Sequence, residues 1–128
     1  MLNRRSFLAV LGTSGAAMMA ERAFAQATLP KMIVTKDPNC GCCGGWVEHM
    51  KAAGFPVEVI TSSDVDQVKL RLGVPADLAS CHTAEVSGYV VEGHVPADAV
   101  KRLLAEKPQA RGLAVPGMPM GSPGMEVA

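Results

Sequence analysis

Three of the four cysteines of this 128-residue chain fall within four positions, Cys40-Gly41-Cys42-Cys43, and 37 residues lie between Cys43 and the fourth, Cys81. Thiolates are soft ligands that select Cu(I), zinc or iron–sulfur clusters. They are also the nucleophiles of disulfide exchange, for which Cys40 and Cys43 have the C-x-x-C spacing. Three chemistries therefore compete. In a soft-metal site, adjacent Cys42 and Cys43 meet one tetrahedral ion awkwardly. A polynuclear Cu(I)–thiolate cluster, whose sulfurs bridge ions, tolerates that crowding better, and copper ranks above zinc. In a thiol–disulfide catalyst, Cys42 would compete inside the motif, and no proline stands immediately ahead of Thr83, where redox proteins of this kind place one. A pair of structural disulfides fits a CxCC run poorly, because unstrained bridges need spaced, facing Cβ atoms. The metal site is the preferred reading.

Other side chains are candidate helpers. His94 ranks first among the three histidines, then His82, then His49, which stands six residues after Cys43 and so off its helical face. The tail Val115-Pro116-Gly117-Met118-Pro119-Met120-Gly121-Ser122-Pro123-Gly124-Met125 offers thioethers held by proline and glycine. Met118 and Met120 are its candidate Cu(I) ligands. The competing account is that these methionines are flexible core filler. Trp46 either covers the site or packs in the core.

The elements around these residues read as a small α/β domain. Lys31 to Thr35 predicts a first strand, and Trp46 to Ala53 a helix ended by Gly54. The cysteines then lie on a turn feeding a helix N-terminus, where the dipole favours thiolate. Val57–Ile60 alternates as a strand. Ser62 or Ser63 caps a helix from about Asp64 to Leu72, with Val65, Val68 and Leu72 on its apolar face. Val74 to Leu78 is a loop or one short turn. Thr83–Val86 and Tyr89–Glu92 form a hairpin about Ser87-Gly88. A last helix from about Ala97 to Glu106 turns Val100, Leu103 and Leu104 inward. Gly112 to Ala128 has no periodicity. The order β-α-β-α-β-β-α, with a right-handed parallel crossover first and an antiparallel hairpin last, is thioredoxin-like. Such a topology packs the loop bearing Cys81 and His82 against the cysteine turn.

The first 25 residues read as a removable export signal. Arg4-Arg5 precede an apolar run from Phe7 to Ala20, and Ala23-Phe24-Ala25 offers a cleavage site before Gln26. The paired arginines, one spacer and Phe7-Leu8 resemble a twin-arginine signal, with a general secretory signal as the alternative. The run is too short to span a bilayer, so no stable membrane insertion is expected after cleavage. A single domain, 26–128, would then lie in a bacterial periplasm. Nine of the 12 basic and eleven of the 12 acidic residues remain in it, a formal charge of −2. That balance excludes a surface built for nucleic acid or anionic lipid.

The runs KDPNCGCCGGWVEHMKAAGF, SCHTAEVSGYVVEGHVPADAVKRLL and GLAVPGMPMGSPGME together resemble a bacterial predicted metal-binding family of formerly unknown function. It includes CopG-type copper-resistance proteins. The resemblance implies a thioredoxin-like fold, periplasmic location and copper handling. It places Cys40, Cys42, Cys43 and Cys81 at the family's cysteine positions and His94 at the histidine of its GHVP motif. Storage, transfer to another periplasmic copper-handling protein and redox conversion of copper all stay open. The expected function is Cu(I) sequestration or hand-over through a four-cysteine site, with a thiol–disulfide or copper oxidoreductase using Cys40 and Cys43 as the alternative.

Overall fold

A computed structural model describes residues 28–126; the expected export signal lies outside them. Strand β1 (Met32–Lys36) is followed by helix α1 (Gly41–Ala52), strand β2 (Val57–Thr61) and helix α2 (Val65–Leu72). After a single 3-10 turn (Ala76–Leu78) come β3 (His82–Val86), β4 (Tyr89–Glu92), α3 (Ala97–Glu106) and a short β5 (Gly112–Ala114). The sheet order is β2-β1-β3-β4-β5. The β1–β2 pair is parallel, as a helical crossover requires, and β3 runs antiparallel to both β1 and β4. These are the α/β order and strand directions expected from the sequence. Among the described residues no helix is long and apolar enough to cross a membrane.

Alternation along the strands divides the side chains between two faces. Met32 and Val34 of β1, Ala84 and Val86 of β3 and Val91 of β4 pack with Trp46, Val47 and Met50 of α1 and Val100 of α3. On the opposite face α2 lies against β1 and β3. The β3–β4 turn has Ser87 at φ 49° and Gly88 at φ 81°, the left-handed pair that a two-residue hairpin demands.

Three local expectations are corrected. Helix α1 starts at Gly41, not near Trp46, so Cys42 and Cys43 belong to its first turn and Cys40 is its N-cap. Glycine's poor helix propensity is overridden there by tertiary packing. The apolar face expected of α2 buries Lys69 beside Val65, for a reason given below. Finally, the tail expected to be aperiodic opens with β5, parallel to β4. A Cβ at Gly112 would fall 1.6 Å from the carbonyl oxygen of Val90, so only glycine lets this strand close on its neighbour.

Candidate metal centre

The centre is assembled from four separate segments. In the first, the Asp37 side chain accepts the Asn39 N–H at 2.8 Å and its carbonyl accepts the Cys40 N–H at 3.1 Å. This Asx turn delivers the chain into α1. Cys40 and Cys43 stand one helical turn apart, Cα–Cα 5.6 Å, and are joined by a disulfide. Cys43 is fully buried, while Cys42 and Cys81 are half-buried free thiols.

The second segment, the loop before β3, brings in Cys81. All four Sγ atoms lie within 4.8 Å of one another. Cys42 Sγ is 3.6 Å from Cys40 Sγ. The disulfide withdraws two of these sulfurs from the thiolate pool, so the cluster offers four thiolates only when Cys40 and Cys43 are reduced. Burial pushes the Cys81 thiol's pKa up; the Ser80 hydroxyl pulls it down, and neighbouring Cys42 adds to the rise. Loading a soft ion would therefore displace a proton from it.

The third segment supplies His94, fully buried, with Nε2 3.1 Å from Cys81 Sγ. The fourth, the tail, fixes that ring. The Pro123 carbonyl lies 2.6 Å from His94 Nδ1. A carbonyl can only accept, so Nδ1 carries the hydrogen and the lone pair of neutral His94 sits on Nε2, facing the sulfurs. Gly124, at φ 87°, makes this approach feasible. A Cβ there would come within 3.0 Å of His94 Nδ1 and 2.7 Å of the Trp46 amide nitrogen. The tail also places Met118 Sδ 3.6 Å from Cys42 Sγ. Met120, by contrast, is 74% exposed, so the tail brings one of its two candidate thioethers to the cluster and leaves the other to solvent.

The remaining histidines have different surroundings. His49 Nε2 accepts the Ala97 N–H at 3.0 Å and so occupies itself at the N-terminus of α3. His82 Nδ1 lies 3.3 Å from Cys81 Sγ, and its ring packs on Trp46 at a centroid distance of 4.3 Å. Trp46, fully buried with Nε1 donating to the Val95 carbonyl at 2.9 Å, is thus both core and floor of the site. Burial, then the charges of His94 and Lys69, lower the His82 pKa to about 3. The unfolded chain binds this proton near pH 6.5 and the folded one does not, so stability falls as pH drops below 6.5 and levels off near 3. Urea unfolding of the metal-free protein at pH 7 and pH 5 should show the loss, approaching about 1.4 kcal/mol per pH unit. His82→Phe should flatten the slope.

The available donors are uniformly soft or borderline: four cysteine sulfurs, one thioether and two imidazoles, His82 grouping with Cys81 and His94. No carboxylate joins the metal-capable groups among the described residues. That chemistry fits Cu(I) and disfavours hard cations. One feature escaped the sequence reading: Lys69 and Glu92 form a buried ion pair beneath the Cys81 loop. Its only signal was a lysine breaking the apolar face of α2 and a glutamate closing the apolar strand β4.

Comparison with known proteins agrees with this chemistry. A family described as a protein of unknown function, DUF411, matches residues 78–125. No curated protein sequence matches significantly. Among solved structures, one titled copper resistance protein CopG, Form 2, is similar with a TM-score of 0.74 and 48% identity, covering 77% of this chain and 79% of that one. Form 1 gives a TM-score of 0.73 at 48% identity, covering 77% and 78%. At that identity over more than three quarters of both chains, common descent is plain: the chain belongs to the DUF411 family, alongside the copper resistance protein CopG.

Proposed function

We propose that this chain is an exported, periplasmic copper-binding protein that holds Cu(I) through Cys40, Cys42, Cys43 and Cys81 and contributes to copper resistance. His94 and Met118 complete the donor set. The observation that carries the reading is the convergence of four sulfurs, from segments 37 residues apart, within 4.8 Å. Relatedness to a copper resistance protein supports copper over zinc. The Arg4-Arg5 signal supports export, by a route that carries folded proteins. The test is Cu(I) loading of the fully reduced protein under anaerobic competition with a chelator, with thiols counted on the same sample. Cys43→Ala should lose most of the bound copper. Equal loading of variant and parent would defeat the shared-sulfur site.

The Cys40–Cys43 disulfide favours a second reading, a copper oxidoreductase. Closing the bridge from two thiols releases two electrons and two protons. Two Cu(II) ions take one electron each and become Cu(I), the state that the remaining soft donors prefer. Two equivalents of Cu(II) added anaerobically to the reduced, metal-free protein should lose their paramagnetic signal as two thiols disappear. Cys40→Ser should abolish the fast phase of that loss. A signal that persists in the parent would remove this reading and leave binding alone.

A further inference from the structure

Cys81 and His82 are bracketed in sequence by Ser80 and Thr83, and one buried side chain holds both brackets. Glu92, 2% exposed, accepts the Ser80 N–H on Oε1 at 2.8 Å and the Thr83 hydroxyl on Oε2 at 2.6 Å. Lys69, 7% exposed, reaches down from α2 to pair with Oε1 and donates to Thr83 Oγ1 at 2.8 Å. Glu92 is also two residues ahead of His94. The intervening Gly93 donates its N–H to the His82 carbonyl at 3.0 Å. It must be glycine: at φ 76°, a Cβ there would meet Ser80 Cβ at 2.7 Å. The carboxylate thus ties the segment bearing Cys81 to the segment bearing His94 from the sheet face opposite Trp46.

We propose that Glu92, charge-balanced by Lys69, is a positioning residue that sets the Cys81 thiol against His94 and the α1 sulfurs. The proposal rests on the copper-binding reading above. A buried ion pair is a poor device for stability, since apolar residues of similar volume often replace one at no loss. It is a good device for orientation, because its acceptors have fixed directions. Partners that hold metal ligands in place commonly matter about 10–100-fold in affinity.

The experiment uses Lys69→Met/Glu92→Leu, which removes both charges together. This variant should unfold close to the parent's midpoint, yet bind Cu(I) about tenfold or more weakly. Adding Cys81→Ser should then weaken binding far less than it does in the parent, because the thiol is already misplaced. A folded double variant with the parent's affinity, or a Cys81→Ser loss equal in both backgrounds, overturns the proposal. A metal-free readout separates it from the copper reading: the 15N shift of His94 Nε2, which reports its contact with Cys81. If the parent binds no Cu(I), the copper reading falls, and the shift still decides. A changed shift in the double variant upholds positioning, and an unchanged one ends it. Should that variant fail to fold, Glu92→Gln takes its place. It leaves Ser80 an acceptor and Thr83 none, so both affinity and shift should move, and parental values for both overturn the proposal.

Discussion

In the reduced protein, Cys81→Ser should weaken Cu(I) binding by roughly a hundredfold or more, past the range for losing a supporting partner. Cys81 is the one cysteine of the cluster that comes from outside α1 and its N-cap. Its Sγ also lies 3.1 Å from His94 Nε2, so it links the sulfur donors to the nitrogen donor. A serine hydroxyl fills nearly the same space but is hard and stays protonated, so the site would keep its shape and lose its affinity. Chelator competition reads the effect directly, and thermal unfolding of the metal-free variant should barely move. Met120→Leu is the matched control. Its side chain is 74% exposed, and affinity should stay within about twofold of the parent.

Trp46→Ala should be the most damaging single change to stability, costing about 3–5 kcal/mol. The indole is fully buried among Met32, Val34 and Met50, and its Nε1–H satisfies the Val95 carbonyl. Truncation leaves a large cavity, orphans that carbonyl and exposes the face of His82. Urea unfolding at pH 7 measures the loss. Trp46→Phe keeps one aromatic ring but removes the pyrrole half of the indole with its N–H, so it should cost less than Trp46→Ala and more than the hydrogen bond alone, which is about 1 kcal/mol. Uncovering His82 should also raise its pKa from about 3 towards the ordinary value, since burial is the first cause of its depression.

Much of this arrangement was legible because local signals agreed with one another. Gly54 and Gly73 stop helices where the sequence says, Ser87-Gly88 turns the hairpin, and Val100 and Leu103 face the core. From that order follows the sheet, and from the sheet the meeting of Cys81 with the first helix. What escaped detection depends on tertiary contact. The early start of α1 has no propensity signal in Gly41, Gly44 and Gly45. Strand β5 is three residues long and begins with the glycine that its neighbour's backbone requires. The burial of Lys69 cannot be read from α2 alone, since the compensating carboxylate arrives from a strand 23 residues further on. The choice of Met118 over Met120 rests on how the tail drapes over α1, which glycine and proline leave undetermined by any periodicity.

Strand β1 has a direction with a practical corollary. Met32 pairs with Val86 at the hairpin end of the sheet, and Lys36 pairs with His82 at the sulfur end. Whatever is joined ahead of residue 28 therefore attaches on the side remote from the cluster, about four residue rises, or roughly 13 Å, away along the strand. The opposite terminus approaches through Pro123 and Gly124, which touch His94 itself. An affinity handle of histidines appended there would hang competing imidazoles beside the ion being counted, whereas the same handle at the other end would leave the stoichiometry clean.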